Sequence, residues 1–496
     1  MYYIGYDIGS SSIKAALVEA STGKAVQILQ EPASEMHIEA KQNGWAEQNP
    51  DTWFKHICIA TKRLIFENNI KASDIKSIGI AYQMHGLVLV DINGKLLRNS
   101  IIWCDSRAVS IGQQAFKDLG EKYCASSLLN SPANFTASKL KWVNENEPEL
   151  FNKVHKFMLP GDYIAYRLSG VINTTITGLS EGVFWDFKSN TVSKELLDYF
   201  GIPQDSVPNI VPAFGLQSSV NKTGANLSGL AVGTEVRYRA GDQPNNALAL
   251  NVFNPGEVAA TGGTSGVVYA VTDSLSSKEY ERVNNFAHVN YNTNNPMIGK
   301  LLCINGAGIL YRWLKENLAV SDYNQMNDLA EACPVGSDGV VILPFGNGAE
   351  RMLKNKTIGT QFLNVNLNRH NKGHLCRAAL EGIAFSFVYG MEFMNNDDLK
   401  INVLRAGNDN LFRSKIFSET ISTLINQEIE IYNTTGAVGA ARAAGIKDGD
   451  ISTVSKSVID NDFVKKITPI TAQKEALQKA YTIWKSELET KINQSN

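Results

Sequence analysis

Residues 6–14 of the chain are Tyr6-Asp7-Ile8-Gly9-Ser10-Ser11-Ser12-Ile13-Lys14, and residues 261–266 are Thr261-Gly262-Gly263-Thr264-Ser265-Gly266. Each stretch joins two short apolar segments, so each predicts a strand, a tight hydroxyl-rich turn and a second strand. The predicted strands cover residues 3–7 and 13–18 around the first turn, and 257–261 and 267–271 around the second. A strand–turn–strand pattern repeated at so long an interval predicts two related domains.

Both turns have a composition that suits phosphate. Glycine lets backbone N–H groups come close to a ligand because it has no Cβ atom, and serine and threonine hydroxyls supply further donors. Taken alone, such a turn is more often an ordinary tight hairpin. The chain has no GxxxxGK[ST] motif and no GxGxxG after a strand. The first absence excludes a P-loop, and the second leaves a Rossmann dinucleotide site without support.

The segments beyond the first turn mix helices with strands. Apolar residues recur at helical spacing across residues 51–66, with Asn49 or Asp51 at the helix start. Apolar strands are predicted at 75–81 and 86–91, the second followed by an Asn93-Gly94 hairpin signal, and a polar amphipathic helix at 471–491. Mixed elements of this kind predict an α/β fold. We expect the first domain to span residues 1–250 and the second to span 251–496.

Bulk composition limits the classes of partner. The 496 residues are enough for two large domains, and a formal net charge of −2 argues against nucleic acid as a partner. No signal-peptide pattern and no apolar run of about 20 residues is present, so we expect a cytoplasmic protein without a membrane partner. Scattered cysteines without zinc spacing are typical of reduced thiols; they are Cys58, Cys104, Cys124, Cys303, Cys333 and Cys376.

Further motifs accompany the two turns in a fixed order along the chain. They are Gln83-Met84-His85-Gly86, Trp103-Cys104-Asp105-Ser106-Arg107, Gly241-Asp242-Gln243, Pro344-Phe345 through Glu350-Arg351, Arg377 to Gly382, and Gly436-Ala437-Val438-Gly439-Ala440-Ala441. Together with the turns, they make the whole chain resemble the FGGY carbohydrate kinases. The segments that begin at Gln83 and Trp103 are similar to those of the xylulokinases within that family. The resemblance implies an α/β fold of two ribonuclease H-like domains, of the type shared with actin and hexokinase, flanking a central cleft.

The resemblance also implies a reaction and a role for each matching residue. The expected reaction is ATP-dependent phosphorylation of a ketopentose, with D-xylulose the leading candidate and ATP and Mg²⁺ as cofactors. Asp242 would be the general base, and Asp7 would be catalytic as the ligand of Mg²⁺. The expected sugar-binding residues are Met84, His85, Trp103, Asp242 and Gln243. The expected nucleotide-binding residues are Ser10, Ser11, Ser12, Lys14, Gly263, Thr264, Gly308, Gly407, Asn408 and Asn410.

The chemistry of these side chains fits the implied roles. A neutral imidazole at His85 both donates and accepts hydrogen bonds, as a sugar hydroxyl does, and Trp103 offers an apolar face to C–H groups. Magnesium keeps several waters, so a single carboxylate such as Asp7 can hold it beside phosphates. Phosphoryl transfer depends mostly on positioning and charge neutralisation, so Asp242 need not be a strong base.

Each candidate residue also has an ordinary structural interpretation. Asp242 could cap a helix beginning at Pro244, Asp7 could start a turn, and Lys14 could be a solvated strand residue. A lone histidine is more often structural than functional, and a tryptophan such as Trp103 is often a core residue. The order of the motifs favours the functional interpretation of Asp242, Asp7 and His85, whereas both interpretations remain open for Lys14 and Trp103.

Two departures from the family pattern leave the substrate open. Arg405-Ala406-Gly407 stands where the family has three glycines, and Gln243 stands where xylulokinases commonly have asparagine. The alternatives are a kinase of ribulose, gluconate or glycerol, a catalytically silent sugar-binding regulator on the same fold, and an actin-like or chaperone-like ATPase driven by a protein partner. The family often forms dimers, but the sequence does not decide between a monomer and a homodimer.

Overall fold

The computed structural model describes residues 1–276, 278–396, 399–447 and 449–495. Two large mixed sheets form the centre of this described part of the chain. The first sheet contains β1 (Tyr2–Ile8), β2 (Ile13–Glu19), β3 (Ala25–Glu31), β4 (Ile75–Tyr82), β5 (Phe214–Ser219) and β6 (Glu235–Gly241). The second contains β7 (Glu257–Gly262), β8 (Gly266–Thr272), β9 (Asn284–Ala287), β10 (Ile298–Ile304), β11 (Val403–Gly407), β12 (Ile429–Tyr432) and β13 (Phe463–Ile467).

The two sheets share one topology. The spatial order is β5-β6-β4-β1-β2-β3 in the first sheet and β9-β10-β8-β7-β11-β12-β13 in the second. Each begins with an antiparallel pair closed by a hydroxyl-rich turn, β1–β2 and β7–β8. The first strand of each pair then accepts a parallel neighbour on its other side, β4 or β11, because the chain returns through helices. The predicted repeat of strand, turn and strand is confirmed.

Helices surround both sheets. Those of six or more residues before residue 250 are α1 (Pro50–Glu67), α2 (Val109–Leu119), α3 (Thr136–Asn146), α4 (Pro160–Ser169), α5 (Ile176–Glu181), α6 (Lys194–Phe200), α7 (Lys222–Ser228) and α8 (Asp242–Ala249). Those after it are α9 (Gly308–Asn317), α10 (Tyr323–Glu331), α11 (Lys372–Asn396), α12 (Lys415–Ile425), α13 (Gly436–Ala443), α14 (Ser452–Asp462) and α15 (Lys474–Gln494). In the described residues, no helix has both the length and the apolar character needed to cross a bilayer.

Helix boundaries follow local capping chemistry. The predicted helix at 51–66 is confirmed as α1, and the side chain of Asn49 accepts a hydrogen bond from the backbone N–H of Asp51. Pro50 occupies the first turn, where its missing N–H has no helical partner in any case. The predicted C-terminal helix is α15, which buries Leu477, Tyr481 and Trp484 along one stripe.

The predicted strand at 86–91 is shorter than expected. Only Val88–Val90 is a strand, and it pairs with Lys156–Met158 rather than with a strand beyond Asn93-Gly94. The turn itself forms, because Gly94 has a φ of +74° and its N–H donates to the carbonyl of Asp91. The local hairpin forms as a single antiparallel bridge between Val90 and Leu96, and Lys156–Met158 supplies the longer strand pairing.

Short two-stranded pairings complete the sheet structure. They join Glu47–Gln48 with Ser100–Ile101, Asn173–Thr175 with Asn209–Val211, Trp185–Asp186 with Thr191–Val192, and Val341–Leu343 with Gln361–Leu363. The long helix α11 is buried on nearly all sides beneath the second sheet. Each sheet thus has its own helix-covered core, which is the layered arrangement of an α/β protein.

Helix α13 links the two halves of the chain. It lies after residue 250 in sequence but packs against β1, β2 and β4 of the first sheet. A Cβ atom added at Gly5 would lie 1.9 Å from the carbonyl oxygen of Ala437, and one at Gly79 would lie 2.0 Å from that of Ala440. Only glycine leaves room for a helix backbone this close to a strand. The division at residue 250 remains a prediction.

We expect Gly79→Ala to lower the free energy of unfolding by about 1–3 kcal/mol or more, since the new methyl group meets helix backbone that cannot rotate away. Lys76→Ala, at an exposed position of the same strand, is the matched control and should change stability by about 0.5 kcal/mol or less. Thermal and denaturant unfolding of both variants measures the difference. Equal midpoints for Gly79→Ala and the wild type would contradict the packing described for α13.

Candidate active site

Three parallel strands of the first sheet deliver polar residues to one edge. In the register of β1, β4 and β6, Asp7 pairs with Ala81, and Gly241 pairs with Tyr82. Asp7 therefore sits at the carboxyl end of β1, and Asp242 follows the carboxyl end of β6. With neighbouring strands about 4.8 Å apart, the two strands that carry them are separated by about 10 Å. Ligands commonly bind at this edge of an α/β sheet.

The two aspartates are half-buried and interact electrostatically. Burial raises the pKa of Asp7, and the opposing charge of Lys14 lowers it. Burial also raises the pKa of Asp242 to about 7, and the like charge of Asp7 adds to this shift. Hydrogen bonds from Gln243 to the Asp242 carboxylate act in the opposite direction. A carboxyl group that titrates near pH 7 is suited to exchanging protons in neutral water.

Asp242 is the first residue of helix α8, which begins two residues earlier than the predicted Pro244. Gly241 occupies the cap position, where neighbouring side chains leave very little space. A Cβ atom at Gly241 would lie 2.3 Å from Glu181 Oε2 and 2.6 Å from Met84 Cγ. Glycine is required here because the strand end must approach both side chains closely.

The N-terminus of helix α13 meets Asp7 from the other half of the chain. A Cβ atom at Gly436 would lie 2.5 Å from Asp7 Oδ2. The amide of Asn245, on α8, donates to the carbonyl oxygen of Gly436 at 2.9 Å. The start of α8, the start of α13 and the end of β1 therefore converge on one point.

The first hydroxyl-rich turn lies beside Trp103. The turn closes through a 3.0 Å hydrogen bond from the N–H of Gly9 to the carbonyl of Ser12, and Gln48 donates to the carbonyl of Ser10 at 2.7 Å. The indole N–H of Trp103 points to Ser10 Oγ at 3.4 Å. Trp103 is 52% exposed, so its interpretation as a core residue is wrong.

Ser11, Ser12 and Lys14 have solvent-accessible surface near the turn. Ser11 and Lys14 are exposed, while Ser12 is half-buried. Behind Trp103, the Asp105 carboxylate accepts hydrogen bonds from the Arg107 guanidinium and from the backbone N–H of Ala46. This buried pair anchors the segment that carries the tryptophan.

His85 is held in one orientation and one protonation state. Its φ is +61°, its Nδ1 lies 2.9 Å from the carbonyl oxygen of Glu181, and its ring contacts Phe135 and Phe286 at centroid distances of 4.8 and 5.4 Å. A carbonyl only accepts, so Nδ1 carries the proton and Nε2 carries a lone pair. Burial, with the nearby charge of Lys139, lowers the pKa of His85 to about 3, and the ring is neutral at pH 7.

Glu181 is a site residue that the sequence analysis missed. It is 1% exposed, and its Oε1 accepts from the backbone N–H of His85 at 3.3 Å. Burial raises its pKa well above the usual range, and the charge of Asp242 contributes to the shift. The neighbouring Met84 is 4% exposed. No motif marks a glutamate at the end of α5, so only the tertiary structure reveals it.

The second turn is joined to the start of helix α9. The N–H of Gly308 donates to the carbonyl of Gly263 at 3.1 Å, and the N–H of Ile309 donates to that of Thr264 at 3.0 Å. A Cβ atom at Gly308 would lie 2.3 Å from Gly263 O. The turn and the positive end of the helix dipole are thereby held together, an arrangement that suits an anion.

A pocket of about 490 Å³ opens at this turn. It brings together four predicted residues, Gly263, Thr264, Gly308 and Asn410. Its other lining residues were not predicted; they are Gly262, Tyr311, Arg312, Asp322, Tyr323, Asn324, Asn327, Leu411, Arg413 and Ser414. The rings of Tyr311 and Tyr323 stack at a centroid distance of 5.8 Å. The lining thus combines an anion-binding turn with aromatic and amide groups, which suits a nucleotide.

Gly407 and Asn408 lie just outside the lining of this pocket. Gly407 ends β11, and the backbone of Asn408 is bound to Tyr432 and Arg413. Their binding roles remain predictions. Arg405, which replaces a family glycine, forms ion pairs with Glu257 and Glu430 at 3.0 and 2.8 Å. The departure from the family pattern at Arg405 therefore has a structural purpose.

Strand β10 connects the two sides of the site. Cys303 near its end is half-buried, and the charges of Arg351 and Asp242 both act on its pKa, which desolvation raises to about 11. Five residues later the chain enters α9 at Gly308. Glu350 accepts from the backbone N–H groups of Asn305 and Gly306 at 3.0 and 2.9 Å and so fixes this connection. Cys303, which feels the charge of Asp242, therefore lies five residues before the helix that lines the nucleotide-sized pocket.

Comparison with known proteins identifies the family. The N-terminal domain of the FGGY family of carbohydrate kinases matches residues 2–249. The chain belongs to the FGGY family of carbohydrate kinases. It is a sugar kinase, and its two sheets are the ribonuclease H-like, actin-type domains of that family.

Relatives of this FGGY kinase extend over its whole length. The xylulose kinase of Bacillus subtilis is 27% identical over 97% of this chain and 95% of its own. The solved structure of xylulose kinase from Rhodospirillum rubrum has a TM-score of 0.87, with 26% identity and 99% coverage of both chains. The structure of gluconate kinase from Lactobacillus acidophilus has a TM-score of 0.86 at 22% identity, covering 100% of this chain and 99% of its own. The fold alone therefore does not select the sugar.

Proposed function

We propose that this FGGY kinase transfers the γ-phosphoryl group of ATP to the C5 hydroxyl of D-xylulose, giving D-xylulose 5-phosphate and ADP. The observation that carries the proposal is the pairing of Asp242, a carboxyl group with a pKa near 7, with a neutral His85 whose Nε2 is free to accept. One group can take a proton from a hydroxyl, and the other can bind a hydroxyl. Full-length relatives named xylulose kinase support the choice of sugar.

ATP would occupy the pocket at the second turn. Gly263 and Thr264 offer donors to phosphate oxygens, and Tyr323 with nearby amide side chains offers stacking and hydrogen bonds to the base. The first turn, Ser10 to Ser12, would face the same phosphates from the other sheet. The reaction would take place in the cytoplasm, in keeping with the six unpaired cysteine thiols.

Asp7 fits the role of a magnesium ligand. Its carboxylate is a hard oxygen donor at a strand end, and burial disfavours its charge, so a cation beside it would offset that cost. Bound Mg²⁺ would neutralise charge on the phosphates during transfer. Asp7 would hold the ion through water, and Lys14 would add positive charge at the surface of the turn.

The protein groups act in sequence on the acceptor hydroxyl. His85 and Gln243 hold the sugar, with Trp103 against its C–H face, so that one hydroxyl points to the γ-phosphorus. Asp242 accepts the proton of that hydroxyl as the new O–P bond forms. The bond between the γ-phosphorus and the bridging oxygen breaks, and ADP leaves with its electron pair. Closure of the cleft excludes water, which would otherwise serve as the acceptor.

We expect the purified protein to release ADP with D-xylulose faster than with ribulose, gluconate or glycerol, and Asp242→Asn to lower kcat about 10²–10⁴-fold because the base is lost. The assay couples ADP release to NADH oxidation. Asp198→Asn, at an exposed residue paired with Lys194, is the control and should retain wild-type kcat.

Turnover of another acceptor in preference to D-xylulose would replace the substrate but keep the kinase mechanism. Binding of D-xylulose without ADP release would favour a regulator, and ATP hydrolysis unaffected by any sugar would favour a partner-driven ATPase. Wild-type kcat in Asp242→Asn would contradict the assignment of the base.

We also expect kcat/KM for D-xylulose to fall as the pH drops through about 7, the pKa of Asp242. The base acts only when it is deprotonated, and its raised pKa places the loss of activity at a higher pH than for an ordinary aspartate. A pH–rate profile measures this decline, which forms the acid limb of the profile. Glu350 has a similar pKa of about 7, so Glu350→Gln is the control and should keep the limb. An acid limb still near pH 7 in the residual activity of Asp242→Asn would assign it to another group.

A further inference from the structure

Lys139 is a charged side chain with no exposed surface. It lies in helix α3 and is 0% exposed. Its ammonium donates to the carbonyl oxygen of His85 at 2.9 Å and to that of Ile102 at 3.0 Å. Lysine is almost never fully buried unless its charge is matched by partners. An apolar side chain would fill the same space without this cost, so the two hydrogen bonds require an explanation.

The two carbonyls belong to the two segments that carry the sugar-binding candidates. His85 lies in Gln83-Met84-His85-Gly86, and Ile102 immediately precedes Trp103. The segments are separated by a strand and a turn in sequence, and Lys139 joins them from a third element. The Lys139 side chain therefore connects the segment that carries His85 with the segment that carries Trp103.

Helix α3 and the residue before it hold His85 at two points. Phe135 is the extended residue that caps the start of the helix, and Lys139 lies in its first turns. The ring of Phe135 packs edge-on against the imidazole at 4.8 Å, and Lys139 binds the carbonyl of the same residue. His85 has a left-handed φ of +61°, which a non-glycine residue keeps only when its surroundings impose it.

The ammonium is charged in this setting. Burial lowers the pKa of Lys139 to about 8, and the charge of Asp105 opposes the shift. The Asp105 carboxylate accepts hydrogen bonds from Arg107, so it acts on the Lys139 ammonium through its charge and not as a direct hydrogen-bond partner. At neutral pH the side chain keeps all its N–H donors.

We propose that Lys139 is a positioning residue that holds His85 and Trp103 in the geometry that binds the sugar. This inference rests on the proposed binding of sugar at His85. Lys139 touches neither the nucleotide pocket nor the carboxylate pair, so its loss should weaken the sugar and leave ATP unaffected.

The test compares Lys139→Met, which keeps the stem and removes the donors, with Lys141→Met on the same helix. Lys141 is partly exposed and pairs with Glu145 at 3.2 Å. We expect the KM for D-xylulose to rise about tenfold or more in Lys139→Met, as for the loss of charged hydrogen bonds. The KM for ATP and the slow ATP hydrolysis without sugar should stay within about twofold of wild type, and Lys141→Met should match wild type throughout.

A readout that needs no turnover separates this inference from the proposed function. In protein labelled with ¹⁵N-histidine, the His85 signals should report the Nδ1–H tautomer in the wild type and should shift or broaden in Lys139→Met. If the wild type phosphorylates no sugar, the proposed function fails, and the histidine signals still decide the role of Lys139.

Lys139→Gln, which retains a neutral amide donor group without the charge, is the second variant and should lie between wild type and Lys139→Met in sugar KM. An unchanged KM for sugar together with unchanged His85 signals in Lys139→Met would overturn the proposal. An equal rise of the KM for sugar and for ATP would overturn it too, as would loss of the folded state in both variants, because each result would indicate a general structural role.

Discussion

Backbone contact between helix α13 and strands β1 and β4 is the constraint on which the cleft depends. Gly5 and Gly79 leave no side chain between the helix and the sheet, so an element from the end of the chain lies directly against strands from its start. Its first residue, Gly436, is then pressed against Asp7. The first sheet supplies the carboxylates, and α13 closes the space around one of them. Without this contact, the two halves of the chain would not share a site.

Burial shifts the pKa values of the ionisable side chains at this site. Asp7, Asp242 and Glu181 are all acids withdrawn from water, and each has a raised pKa for that reason first. Repulsion from Asp7 adds to the shift of Asp242, and repulsion from Asp242 adds to that of Glu181. Burial lowers the pKa of His85 instead, so its ring is neutral at pH 7. A group of neutral or readily neutralised side chains suits a sugar, while the glycine turns and helix α9 suit the phosphates.

Much of the fold could be predicted from the sequence because its signals are local. The hydroxyl-rich turns, the helix at Pro50–Glu67 and its Asn49 cap follow from residue type and spacing. Glu181 and Lys139 could not be predicted in this way, because their importance comes from contacts with residues 96 and 54 positions away. The lining of the nucleotide pocket by Tyr323 and Arg413 likewise depends on packing between distant helices. The hairpin after Val90 is limited to one bridge with Leu96, and the longer pairing is with a distant strand that no local signal reveals.

The most direct measurement is a crystal structure of the protein with D-xylulose, ADP and Mg²⁺. We expect the sugar between His85 and Trp103, with one hydroxyl oxygen about 3 Å from the Asp242 carboxylate and the ADP phosphates against Gly263 and Thr264. A sugar bound elsewhere, or a nucleotide whose phosphates lie away from both turns, would contradict the shared cleft and with it the proposed transfer.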